Sequence, residues 1–284
     1  MDKKIIAFVD GSPYAASTCD HAVWAAGRLN ASVDLIHVLD RNSGAQSADL
    51  SGSIALGART ALMKELSDLD EQRAKLVAHR GRAILEDAEK ILRDGAIEAV
   101  QTHLRQGDLI ETLKDREGDA NLVVIGKRGD EHDRAQGHLG SNLERVLRAT
   151  QKPVLVASYG FSPISKICIA YDGGKSALKA MDVLSRSPIF VGLEVHIVTV
   201  GTETSFGRKG LEDAKAMLKA AGIEARVQMI AGDPETALGE FVEAENFDMV
   251  VMGAHGHSRI RSLIIGSTTT AMIRACRVPI LLMR

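Results

Sequence analysis

Short apolar runs rich in β-branched residues alternate along this chain with segments of helical periodicity. Runs at 5–9, 33–39, 122–125 and 154–157 read as one set of strands, and runs at 167–171, 194–200, 249–252 and 280–283 as a second. A weaker strand is expected before each of two Gly-Asp pairs, at 98–104 and 224–230. Between the strands, apolar residues recur at helical spacing over 14–29, 108–117, 210–221 and 236–245. Strands that are apolar almost throughout are buried on both faces, with helices supplying the cover. The pattern predicts an α/β fold with a doubly wound parallel sheet.

The pattern also repeats. Lys4-Ile5-Ile6-Ala7-Phe8-Val9-Asp10-Gly11 matches Lys166-Ile167-Cys168-Ile169-Ala170-Tyr171-Asp172-Gly173, Gly107-Asp108 matches Gly232-Asp233, and Gly140-Ser141 matches Gly266-Ser267. Lys152-Pro153-Val154-Leu155-Val156 matches Val278-Pro279-Ile280-Leu281-Leu282. A period this long means two tandem doubly wound domains, 1–158 and 159–284, rather than a solenoid. The join falls in the Gly-, Ser- and Pro-containing stretch Ser158-Tyr159-Gly160-Phe161-Ser162-Pro163. The offset shrinks from 162 (Lys4 to Lys166) to 126 (Pro153 to Pro279), so the first copy carries a net insertion of about 35 residues, within about 41–85. The Ala-, Leu-, Glu-, Lys- and Arg-rich segment 61–93 reads as one long helix or two.

Composition narrows the function classes. Net charge is −2, from 35 basic and 37 acidic side chains, so no basic excess points to nucleic acid. Aromatic residues are 4%, too few for a base-stacking platform. No apolar run approaches the ~18 residues of a membrane span, and the apolar run at 5–9 is too short for a signal peptide, so a cytoplasmic address is expected. Three scattered cysteines, Cys19, Cys168 and Cys276, make no disulfide framework. Cys168 and Cys276 read as core, while Cys19 lies beside Asp20 and His21 on the first helix.

In an open α/β sheet, ligands bind beyond the carboxyl ends of the strands, at the switch point. There the second copy reads Gly253-Ala254-His255-Gly256, nine residues, then Gly266-Ser267. Glycines let a backbone approach a ligand closely, and N–H groups at a helix start favour phosphate oxygens. Ser267 adds a hydroxyl and can also cap the helix over 268–276. With Asp10 and Asp172 ending each first strand and a Pro-containing last strand, the chain resembles the universal stress protein family over nearly its whole length. The resemblance implies a Rossmann-like, adenine-nucleotide alpha hydrolase-like fold that holds ATP, AMP or ADP, with Mg²⁺ entering on the phosphates. It implies nucleotide contacts from Asp172, Val200, Met252, Gly253, Gly256, Gly266, Ser267 and Thr268. It also implies pairing through the last strand of each domain, satisfied inside a tandem chain as a pseudo-dimer, with or without further homodimerisation. A stress-response regulator follows, with at most slow ATP hydrolysis. Asp172 and His255 would be the first hydrolytic candidates. Some family members lack the glycine motif and do not bind ATP, which keeps open a nucleotide-independent interaction scaffold.

The first copy departs from the motif. It reads Gly126-Lys127-Arg128-Gly129, ten residues, then Gly140-Ser141, and its loop carries Asp130, Glu131 and Asp133 against His132 and Arg134. The matching loop of the second copy has Arg259 and Arg261 and no acid. Like charges a few ångströms apart near a surface oppose binding by about 1–4 kcal/mol. Nucleotide is therefore expected mainly in the C-terminal copy, with Lys127 and Arg128 a partial compensation in the first. Asp10, Gly126, Gly129, Gly140 and Ser141 would form a degenerate second site, or one for another small molecule. His132 and His138 among those acids resemble a metal cluster but read as a solvated loop. His255 and His257 lack the further ligands of structural zinc. No dedicated metal residue is assigned. Gly173-Gly174-Lys175-Ser176 imitates the end of a Walker loop, but the required first glycine falls on Ile169 inside a strand, so a strand-to-helix turn is expected.

Overall fold

The structure, a computed structural model, describes residues 3–39, 56–129, 140–201, 205–254 and 266–283. The first half runs β1 (Lys3–Phe8), α1 (Ala15–Leu29), β2 (Ala31–Leu39), α2 (Leu56–Asp94), β3 (Val100–Gln106), α3 (Leu109–Arg116), β4 (Leu122–Gly126), α4 (Ser141–Ala149), β5 (Val154–Ala157). The second runs β6 (Lys166–Ala170), α5 (Lys175–Arg186), β7 (Glu194–Val200), α6 (Ser205–Ala220), β8 (Ala225–Ile230), α7 (Pro234–Ala244), β9 (Met249–Gly253), α8 (Ser267–Ala275), β10 (Ile280–Met283).

The strands form one sheet, ordered β3-β2-β1-β4-β5-β10-β9-β6-β7-β8. Every neighbouring pair is parallel except the central one. There β5 and β10 run antiparallel, with Leu155 opposite Leu281 and Val154 opposite Leu282. The expected pairing of the two last strands is thus made inside the chain.

Side-chain alternation along the strands divides the core into two layers. On one face Ile5, Leu155, Ile167 and Leu281 pack with Cys19, Leu92, Met181 and Leu218 of α1, α2, α5 and α6. On the other, Ile6, Val154, Cys168 and Leu282 pack with Leu113, Leu147, Val242 and Met272 of α3, α4, α7 and α8. Both layers run unbroken across the β5–β10 junction, so the halves share a core as well as a sheet. The outermost strands β3 and β8 carry exposed polar residues, such as Gln101 and Arg226, as sheet edges do.

The segment 61–93, expected as one long helix or two, lies in a single helix. α2 has 39 residues, and its C-terminal part lies on β2 and β3. Gly81 permits that contact: a Cβ there would stand 2.7 Å from Leu104 Cδ1 and 3.0 Å from His37 Cδ2. α6 begins at Ser205, earlier than the sequence pattern indicates.

Candidate functional site

The carboxyl ends of β1 and β4, and of β6 and β9, are the two switch points. In the first half a cleft opens there, bordered by Asp10, His37, Asp108, Arg128, Asn142 and Arg145, with Gly126, Gly129 and Gly140 in its wall. In both halves the aspartate after the first strand builds a turn. The Ser12 N–H donates to Asp10 Oδ1 at 3.0 Å, and the Gly174 N–H to Asp172 Oδ1 at 2.8 Å. Gly173, at φ +73°, completes the second turn, and α5 starts at Lys175. The Walker-like stretch is the expected strand-to-helix connection.

The first-half glycines are filled by the protein itself. A Cβ on Gly126 would lie 2.9 Å from Tyr14 Cβ and 3.3 Å from Thr18 Oγ1, and one on Gly140 3.3 Å from Arg128 Cα. A Cβ on Gly129 would meet Asp10 Oδ2 at 3.0 Å. These positions let the loop after β4, the first turn of α1 and the start of α4 converge. The second half is tied in the same way: Thr269 Oγ1 donates to the Gly253 carbonyl at 3.2 Å and the Gly266 N–H to the Ala254 carbonyl at 3.3 Å. Met252 is buried at the end of β9, and Val200 is half-buried at the end of β7.

The helices that start at the switch points differ from their neighbours. α3 and α7 are capped by Asp108 and Asp233, which accept from Ile110 and Glu111 N–H and from Glu235 N–H respectively. The preceding Gly107 and Gly232 have φ of 136° and 128°, which explains the repeated Gly-Asp pair as turn plus cap. α4 and α8 start after Gly140 and Gly266 with no side-chain cap. Ser267 and Ser141 are exposed first helical residues. Ser267 therefore does not cap α8, contrary to the sequence expectation, because the cap position belongs to Gly266. Gly140 and Gly266 offer no side chain to the leading N–H groups of α4 and α8, where the positive ends of the helix dipoles lie.

The charged groups around the first-half cleft are partly engaged within the protein. Arg145 donates to Asp108 Oδ2, and this guanidinium, ahead of the capping N–H groups, holds the Asp108 carboxyl below its ordinary range. Position 271 on α8, which matches Arg145, is alanine. Lys127 does not face the cleft as a phosphate ligand. Its Nζ donates at 3.0 Å to the carbonyls of Arg274 and Cys276, at the C-terminal end of α8 in the other half. Burial there lowers its pKa. The compensation expected from Lys127 is thus spent on the junction, and Arg128 alone of the pair borders the cleft. Sequence reasoning missed His37, Asn142 and Arg145. Arg145 lies on the cleft side of a helix whose buried residues are Leu143, Val146 and Leu147, and that periodicity was its only signal.

All three cysteines are buried, and burial pushes the Cys19 and Cys168 thiols up to about 12, so neither is a nucleophile. His255, Gly256, His257, Arg259 and Arg261 lie outside the described residues, as do Asp130, Glu131, His132, Asp133, Arg134 and His138. Among the described residues no group of His, Cys, Asp and Glu is placed to hold a metal, and no helix is long and apolar enough to cross a membrane.

The model of the universal stress protein family matches residues 1–158 and 201–284. Universal stress protein Slr1230 of Synechocystis is 38% identical over 286 residues, spanning 99% of this chain and 100% of that protein. A universal stress protein of Mycolicibacterium smegmatis is 23% identical over 230 residues, spanning 72% of this chain and 76% of that one. The crystal structure of a universal stress protein from Archaeoglobus fulgidus superimposes with a TM-score of 0.71 at 19% identity, over 99% of this chain and 98% of that one.

Proposed function

The chain belongs to the universal stress protein family, and we propose that within it the chain is a regulator that binds an adenine nucleotide, held mainly at the β6–β9 switch point. One observation carries this reading: α8 starts without a side-chain cap beside the end of β9, whereas α7 next to it is capped by Asp233. Ser267, Thr268 and the N–H groups of the first turn would take phosphate oxygens, with Asp172, Val200 and Met252 bordering the nucleoside. Mg²⁺ would arrive on the phosphates, since it binds through few protein ligands. Hydrolysis would be slow at most. The described carboxylates at the strand ends serve turns and caps, and none stands as a general base.

A second reading concerns the first half. Its cleft contains an internal ion pair, Asp108–Arg145, and has lost Lys127 to the junction. A small anionic molecule that competes for Arg145 and Arg128 suits it better than a triphosphate.

The test is to denature the purified chain and count released small molecules per chain by chromatography with mass detection. About one adenine nucleotide per chain supports the first reading. None, with none taken up from added Mg-ATP, leaves an interaction scaffold.

A further inference from the structure

The antiparallel pairing of β5 with β10 sets Leu155 opposite Leu281, its own mate in the repeat, with Val154 opposite Leu282 and Val156 opposite Ile280. A pseudo-two-fold axis therefore passes between the two leucines, and each place on one side of it has an equivalent on the other. On one side the segment 158–164 runs from Ala157, at the end of β5, to Ser165, just before β6. It covers α1. The Phe161 ring meets His21 edge-on with centroids 5.1 Å apart, Ser17 Oγ donates to the Ser158 carbonyl at 2.8 Å, and Ile164 is buried in the core. Ser17 and His21 are buried as well.

The equivalent place is a cavity of ~330 Å³, within the ~300–1,000 Å³ of ligand sites. Met283 and Lys3 line it, and they are the mates of Ala157 and Ser165, the residues that flank the covering segment on the other side. Val183 lines it too, 36% exposed where its mate His21 is fully buried. Leu29, Leu122 and Pro153 add apolar wall from the first half.

The local sequence shapes this side. α1 has 15 residues and α5 has 12, because Pro188 disfavours helix at the residue before it: Ser187 is extended, at φ −93° and ψ 124°. The chain then turns through Pro188–Phe190. Arg28 of α1 fixes that turn from the other half, its Nε donating to the Ile189 carbonyl at 2.8 Å and its Nη2 to the Val191 carbonyl at 3.0 Å. The wall is held before anything binds, which lowers the ordering cost of an occupant.

Charge adds a direction. Lys3, Asp182 and Arg186 are the charged residues of the lining. Asp182 and Arg186 pair with each other at 2.6 Å along α5, whereas Lys3 pairs with no described residue. Lys3 stands at the place that Ser165 takes on the filled side, so an occupant that follows the same path meets it with its last residue.

We propose that this cavity is a docking site for an extended segment of a partner protein. That segment carries an aromatic residue, a branched apolar residue three positions on and an acidic residue directly after it. This is the chemistry of Phe161 and Ile164 on the filled side, with an acid added to face Lys3. The cavity continues the β5–β10 seam, so the segment touches both halves. The proposal does not rest on nucleotide binding.

Fluorescence anisotropy tests it, with a labelled peptide that copies residues 158–165 and carries Ser165→Asp, titrated with the full chain. A Kd below ~0.1 mM is expected. Binding should weaken at least tenfold with Phe161→Ala in the peptide, and equally with Val183→Asp in the chain, whose thermal unfolding should not change. Lys3→Glu should abolish the advantage of the acidic peptide over the unsubstituted one. No binding at ~0.5 mM chain overturns the proposal. So does binding indifferent to Val183→Asp, and its loss on His21→Ala instead would show the peptide displacing the chain's own segment. Binding of dodecanoate without binding of the peptide would assign the cavity to a small amphiphile and overturns it too.

Discussion

Replacing Ser267 by aspartate separates a phosphate site from a helix start that merely turns the chain. Ser267 is the exposed first residue of α8, and Gly266 before it provides no side-chain cap. A carboxylate at this position favours the helix itself, by about 0.3–1 kcal/mol through the dipole. Against a phosphate it acts in the opposite sense. At ~5 Å, with an effective dielectric between ~20 and ~80, each pair of like charges costs about 1–3 kcal/mol, and exposure of the position favours the lower figure. Two phosphate charges within reach then oppose binding by about 2 kcal/mol, or about 30-fold in Kd. Calorimetric titration with Mg-ATP should show that loss, with a smaller one for AMP and partial recovery at high salt. Thermal unfolding without nucleotide should move up or stay level. The matched change Ser141→Asp on α4 should give the same helix effect without the loss of affinity. Unchanged ATP affinity in Ser267→Asp, together with loss in Ser141→Asp, would put the nucleotide in the first half and refute the assignment. No change in either would remove nucleotide from both helix starts.

Four further outcomes follow from the bonds described. Lys127→Ala leaves the carbonyls of Arg274 and Cys276 without their donor and should lower the urea stability by about 1–3 kcal/mol. Asp108→Ala removes the α3 cap and should cost about 1 kcal/mol, more than Arg145→Ala, which breaks only an exposed pair worth about 0–1 kcal/mol. His21 is buried, and desolvation, partly offset by the Ser17 carbonyl, lowers its pKa from 6.5. Its contribution is fully present above pH 6.5 and is lost as pH falls through the lower folded value, so the urea midpoint should drop from pH ~7.5 to ~5. His21→Leu should flatten that slope. A thiol reagent should find no reactive cysteine in the native chain and all three after denaturation.

The strands were legible because burial on both faces leaves an apolar run with little room for ambiguity, as in β1, β4, β6 and β9. The edge strands β3 and β8 were weaker because one side of each is not paired, and their polar residues blur the signal. The internal pairing of the last strands came from the family resemblance applied to a tandem repeat, and β5 against β10 bears it out. The glycine motif was legible as a pattern but not in what each glycine faces: Gly126 and Gly140 accommodate Tyr14 and the Arg128 backbone, neighbours far off in sequence. Lys127 was misread for the same reason. A lysine beside a glycine loop looks like a phosphate ligand until the end of α8, about 150 residues on, is seen beneath it. Arg145 stayed hidden because nothing in its sequence neighbourhood marks the ion pair with Asp108.

The antiparallel seam between β5 and β10 stands where two identical chains would meet across a two-fold axis. In such a pair every substitution is made twice, once on each side. Here the two sides are inherited separately, and Lys127 shows the difference: it reaches across the seam to the end of α8, while its mate, Ala254, has no side chain to reach back. Because the partner is tethered, the contact holds at any dilution, and neither side has to remain a good partner for itself. Across the seam this contact is a one-way grip, so the two halves need not be alike to hold together.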